Sequence, residues 1–207
     1  RVLHELIVEA TADLPDGWAA LIEAHEEVDE LLGMDDAVDL LMPRGSSSFV
    51  EYIQDNTSIP VLGHTEGVCH VYVDREADLG MAEDVALDAK VQYPAVCNAV
   101  ETLLVHEAVA DQFLPDMVER YEGAGVELRG DEHTRDIVDI DPATEADWDT
   151  EYGDLELSIK VVEDVYEAVE HVNTHGSKHT ESIVTEDGEA ADAFMTGIDA
   201  ASVFHNA

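Results

Sequence analysis

The chain has 207 residues, of which 45% are apolar, and 49 aspartates and glutamates against 9 lysines and arginines give a formal net charge of −40 at pH 7. That charge repels nucleic acid, the apolar share suffices for the core of one large or two small domains, and no apolar run approaches the roughly 18 residues of a membrane-spanning helix. The acids are dispersed through periodic apolar segments rather than gathered in a tail, which excludes a disordered acidic appendage and reads as a folded surface.

Self-repulsion at this charge opposes compaction at low ionic strength and fades at molar salt, where the screening length falls to about 3 Å. Lysine occurs only at Lys90, Lys160 and Lys178, and the composition points to a salt-adapted cytoplasm. An acidic mimic of nucleic acid would fit the charge but would leave the chain's motifs without a purpose. Two cysteines, Cys69 and Cys97, allow at most one disulfide, and both are expected to be reduced.

Residues 1–62 read as helices alternating with short buried strands. Trp18, Leu21, Ile22, Val28, Leu31 and Leu32 lie on helical stretches, and 37–42 is an apolar strand stopped by Pro43. The turn Pro43-Arg44-Gly45-Ser46-Ser47-Ser48 then leads into a helix at 49–53. Strand, Gly/Ser turn and helix start together make an anion cradle, because the turn N–H groups and the helix N-terminus point at the same spot. The bland alternative is a solvated turn with Arg44 answering nearby carboxylates.

A strand at 59–62 and an alternating strand at 68–73 come next, with a domain change between them. His64, Cys69 and His70 are not read as a metal site, since adjacent strand residues face opposite sides. Residues 75–122 are expected to be mostly helical around a cysteine turn. Cys97 comes after the extended Tyr93-Pro94-Ala95 and precedes a run, Val100, Leu103, Leu104, Ala108, Phe113 and Leu114, read as one amphipathic helix. At a helix N-terminus a thiol is favoured as thiolate; an inert core thiol is the competing reading.

Residues 123–153 look like polar surface connections with a short edge strand near 137–140. A strand is expected over 155–162, a helix over 165–172 closed by Gly176, and a strand over 182–185. His171, His175 and His179 recur every four residues, but Asn173 and Gly176 interrupt a single helical face.

Three segments, Val61 to Asp74, Asp88 to His106 (with Gln92-Tyr93-Pro94-Ala95-Val96-Cys97-Asn98) and Glu167 to Ile183 (with Asn173-Thr174-His175-Gly176-Ser177-Lys178-His179-Thr180), resemble the gamma-glutamyl phosphate reductases of the aldehyde dehydrogenase superfamily. The resemblance implies an α/β, aldehyde dehydrogenase-like fold: the end of a Rossmann-like nucleotide-binding domain at 1–65, then an α/β catalytic domain at 66–207. Members of that family are about twice this length, so it also implies a chain cut at both ends and inactive by itself.

Carried over residue by residue, the resemblance makes Cys97 the nucleophile toward gamma-glutamyl phosphate, with NADPH as hydride source and a backbone N–H at Cys97 or Asn98 as oxyanion donor. Arg44, Gly45 and Ser46 become cofactor contacts, as do Glu151 and Tyr152, which match the superfamily spacing loosely. Asn98, Ser177, His179 and Thr180 become substrate contacts. Glu66 falls where many aldehyde dehydrogenases carry a general base, which these reductases do not uniformly keep. Glutamate 5-kinase is implied as partner or fused domain, and a homo-oligomer at full length. Two alternatives stay open: another family member oxidising a small aldehyde, and a noncatalytic acidic binding module.

Overall fold

A single sheet is formed by β1 (Cys69–Val73), β2 (Val100–His106), β3 (Glu127–Gly130), β4 (Asp141–Pro142), β5 (Glu156–Val162), β6 (Thr180–Val184) and β7 (Ser202–His205); β1, β2, β5 and β6 are rich in β-branched and aliphatic residues, while β3 and β4 are short and largely polar. The computed structural model describes residues 1–15, 17–22, 25–45, 47–63 and 66–207. The strand order is β4-β3-β5-β2-β1-β6-β7 and each neighbouring pair is parallel. Parallel neighbours require crossovers, and helices supply them: α4 (Leu79–Val91), α5 (Glu107–Gly123), α6 (Glu132–Ile137), α7 (Val165–His175) and α8 (Gly188–Gly197). This sheet lies in the second of two compact units, Glu66–Ala207.

Side-chain alternation along the central strands divides the core in two. Val71, Val73, Leu103 and Val105 pack with Ala82 and Ala86 of α4 and with Phe113, Leu114 and Met117 of α5. Tyr72, Leu104 and Ile183, on the other face, pack with Val165, Ala168 and Val172 of α7 and with Phe194 of α8. Some of the many acids have a structural task at helix starts: Asp78, Asp131, Asp164 and Asp187 each accept backbone N–H bonds in the first turn of α4, α6, α7 and α8. There a carboxylate both caps the free N–H groups and meets the positive end of the dipole.

The first unit, Arg1–Thr65, contains α1 (Val2–Ala10), α2 (His25–Leu32) and α3 (Ser47–Asp55). Of its expected strands, a single parallel bridge joins Leu41 to Val61. The helical reading around Trp18 also fails, because that segment is turn. Among the described residues no helix is long and apolar enough to cross a membrane.

The largest departure from the sequence reading lies just after Cys97. Residues 100–106 are a central strand, buried along its whole length, and the helix begins only at Glu107. A strand covered on both faces reads as an apolar run without period two. Glu101, whose charge suggests a helix's solvated side, is instead buried and paired. Residues 123–153 hold β3, α6 and β4 rather than mere connections; the edge of the sheet is β4, at 141–142 and not at 137–140. Helix α7 runs through His175, so His171 and His175 share a face with ring centroids 4.5 Å apart, while His179 lies beyond the helix end that Gly176 marks.

Candidate active site

Cys97 sits in the turn 92–99 that joins the C-terminus of α4 to β2. The turn closes on itself through Val96 N–H to Tyr93 O (3.3 Å) and Ala99 N–H to Val96 O (2.9 Å). Cys97 is half-buried and Asn98 exposed. Gly67 packs against the turn from below: an added Cβ would lie 2.7 Å from both Cα and the carbonyl carbon of Cys97. The Cys69 thiol donates to the Cys97 carbonyl oxygen at 3.3 Å, and both cysteines are free. The helix start expected after Cys97 is absent. The helix end nearest along the chain is the C-terminus of α4, of the opposite partial charge, so the helix dipole gives no reason for a thiolate here.

Because β1, β2 and β6 are adjacent and parallel, their amino ends share one edge of the sheet. Thr180 opens β6 there, and its Oγ1 lies 2.8 Å from His179 Nδ1. His179 Nδ1 is also 4.0 Å from the Cys69 sulfur. Cys97, His179 and Thr180 therefore belong to one region, with Cys69 as a shared neighbour. Ser177 is placed differently: its Oγ accepts the Val68 N–H at 2.9 Å and its own N–H donates to Val68 O at 3.2 Å, which fastens the 176–180 loop to the strand before β1.

Beneath that loop, Glu181 Oε2 accepts the His70 backbone N–H at 2.7 Å and meets His70 Nδ1 at 3.0 Å, with both side chains fully enclosed. Burial raises the Glu181 carboxyl pKa against the opposing pull of His70. Gly176 fits this corner because a Cβ would meet Val172 O at 2.5 Å and Glu181 Oε1 at 3.0 Å.

Glu151 is exposed, while the Tyr152 hydroxyl donates to Asp147 Oδ1 at 2.8 Å and lies 2.7 Å from Ser158 Oγ. Burial pushes Tyr152 up to about 12. The neighbouring Gly153 N–H donates to Glu101 Oε1 at 3.2 Å, and Glu101 Oε2 accepts from Lys90 Nζ at 2.7 Å. Sequence reasoning does not single out Gly67, Cys69, Lys90, Glu101 or Glu181 as site residues. The signals it offers are weak: one of three lysines, and two acids inside apolar strands.

A cavity of about 480 Å³ opens beside the turn, lined among others by Cys69, Tyr93, Val96, Asn98, Thr180 and Phe204. It brings Asn98 and Thr180 to one space, whereas Cys97, Ser177 and His179 are not among its lining residues. Among the described residues no cluster of three His, Cys, Asp or Glu could hold a metal ion; Glu66, exposed, opens the second unit.

In the first unit, Arg44 is exposed and its Nη1 donates to Pro43 O at 3.0 Å. A Cβ on Gly45 would press the Phe49 ring at 2.9 Å. The first turn of α3 carries no acid, so in a chain this acidic an N-terminus beside an arginine still suits an anion. Ser46 lies outside the described residues.

The profile of the aldehyde dehydrogenase family matches residues 2–146. A protein of Natronomonas pharaonis named gamma-glutamyl phosphate reductase is 71% identical over all of this chain and 48% of its own length. One of the same name from Haloquadratum walsbyi is 66% identical over all of the chain and 47% of its own. The chain thus spans about half the length of the curated relatives it matches. The crystal structure of gamma-glutamyl phosphate reductase from Thermotoga maritima aligns with a TM-score of 0.85 at 46% identity, covering 89% of this chain and 45% of that one. Glyceraldehyde-3-phosphate dehydrogenase from Methanocaldococcus jannaschii, complexed with NADP, shares the fold at 18% identity and a TM-score of 0.73, over 98% of this chain and 53% of that one.

Proposed function

As this chain belongs to the aldehyde dehydrogenase family, we propose that it supplies the cysteine nucleophile of a gamma-glutamyl phosphate reductase, which converts gamma-glutamyl phosphate to glutamate-5-semialdehyde and phosphate in proline biosynthesis. The observation that carries this reading is Cys97, held half-exposed on a braced turn at the amino ends of β1, β2 and β6, whose chain neighbours Val96 and Asn98 line a cavity that Thr180 also lines. The two relatives identical to the chain at 71% and 66% carry that enzyme's name.

In this mechanism the Cys97 sulfur attacks the acyl carbon, the bond to the phosphate oxygen breaks, and inorganic phosphate departs with the thiol proton, which leaves a thioester on Cys97. Covalent capture divides a difficult reduction into two easier steps. Among the described residues no acceptor meets the N–H of Cys97 or Asn98, so both can receive the oxyanion. His179, Thr180 and Asn98 are the proposed contacts to the substrate's carboxylate or phosphate; Ser177 serves them by holding their loop.

NADPH is the proposed cofactor. Arg44, Gly45 and the acid-free start of α3 suit its phosphates, with Glu151 and Tyr152 proposed near the nicotinamide ribose. Once bound, it supplies the hydride that takes the acyl group to the aldehyde oxidation level. The same reading extends to a salt-adapted cytoplasmic setting, a homo-oligomer at full length, and a glutamate 5-kinase that delivers the acyl phosphate.

Cys97→Ser in a full-length reductase containing this chain tests the proposal. Turnover of gamma-glutamyl phosphate is expected to vanish with folding intact; retained reduction refutes the assignment. Faster turnover of simple aldehydes than of gamma-glutamyl phosphate would point to another member of the family.

A further inference from the structure

Lys90 is in the last turn of α4 and Glu101 is the second residue of β2, so the two bracket the segment that carries Cys97. Their side chains are 0% and 1% exposed and meet at 2.7 Å. The other oxygen of Glu101 accepts the Gly153 N–H at 3.2 Å, and Lys90 Nζ stands 6.0 Å from the centre of the Tyr152 ring.

We propose that the buried Lys90–Glu101 pair is a positioning device for the nucleophile: it closes the base of the Cys97 turn and ties that turn to the 151–153 segment. This rests on reading Cys97 as the nucleophile. Replacing such a pair by apolar residues is often neutral or stabilising, so stability alone does not account for two enclosed charges; what the pair adds is direction. Joining residues 90 and 101 shortens the loop that has to be ordered, and among the described residues the turn inside it is also held by two of its own backbone bonds, by the Gln92 N–H bond to Asp88 O at 3.2 Å, by the Cys69 thiol and by Gly67. Finally, surface pairs such as Lys178 with Asp199 are screened at high salt, whereas an enclosed pair keeps its geometry.

The test compares the parent with Glu101→Gln and with the apolar double variant Lys90→Met/Glu101→Met. In the 207-residue chain, iodoacetamide labelling of Cys97 and hydrogen exchange across 92–99 and 151–154 are tracked by peptide mass. Exchange in both segments is expected to rise at least about tenfold, with β1 and β5 still protected and a melting temperature near the parent's in the double variant. Labelling of Cys97 is expected to change with it. In the full-length enzyme kcat should fall by about a hundredfold with KM held within about twofold, since small misplacements are costly in rate.

Parental labelling and exchange in a folded double variant would overturn the proposal. If the double variant does not fold, Glu101→Gln decides by the same measurements, and parental values there overturn it equally. A parent enzyme without reductase activity would defeat the functional reading alone, because labelling and exchange do not depend on turnover.

Discussion

The thiol of Cys69 lies under the Cys97 turn and donates to the Cys97 carbonyl oxygen, so one cysteine braces the backbone of the other. Burial first, and the Glu181 carboxylate after it, push the Cys69 thiol far up. Thiol reactivity depends on thiolate character and access. Iodoacetamide should therefore modify Cys97 at least about tenfold faster than Cys69, read as alkylated peptide masses over time; equal rates would contradict this placement.

Gly67 has no room for a side chain against Cys97. Gly67→Ala must displace backbone rather than the tip of a flexible side chain. A cost of about 1–3 kcal/mol is expected from overpacking, with turnover of the full-length enzyme lowered by about a hundredfold through the moved nucleophile. Denaturant titration and steady-state kinetics read the two effects separately. Parental kinetics would show that the turn tolerates the shift.

His171 is enclosed with its Nε2 lacking a hydrogen-bond partner among the described residues. Burial, then the neighbouring His70, Lys160 and His175, push it down to about 2. Below its ordinary value near 6.5 the unfolded chain takes up a proton that the native state refuses. Stability from this group is therefore complete above about pH 6.5 and is lost as pH falls, by about 1.4 kcal/mol per unit. Carboxylate protonation relieves surface repulsion and opposes the trend, so the informative quantity is the difference from His171→Leu. The unfolding free energy of the variant minus that of the parent should rise as pH falls from about 7 to 5; a constant difference would show that His171 titrates normally.

The net charge of −40 predicts a melting temperature that climbs with KCl. Screening lengths fall from about 10 Å at roughly 0.1 M to about 3 Å at 1 M, and each kcal/mol of relieved repulsion adds roughly 2–4 °C for a chain of this size. Calorimetry across that range checks it. A flat response would mean that the surface acids are already neutralised by their arrangement.

How much of the fold is legible in the sequence depends on the range of the interaction. The alternating run at 155–162 and the helix stopped by Gly176 are written in periodicity and cap chemistry, and they appear as β5 and as α7, the helix running three residues past its expected end at Val172 to His175. The Cys97 turn is legible in Tyr93-Pro94-Ala95, but the strand after it is not, since Val100–His106 carries no local mark that separates a doubly covered strand from a helix.

The sequence by itself determined the acidic surface, the α/β character and the family, because composition and motif are properties of the chain. Only the tertiary structure decided that β5, β2 and β1 lie side by side, which sets Cys69 and Gly67 beneath Cys97 and Glu101 between Lys90 and Gly153. Glu101 meets one partner 11 residues away and another 52 away, and spacing along a chain does not reveal which buried charge another will meet.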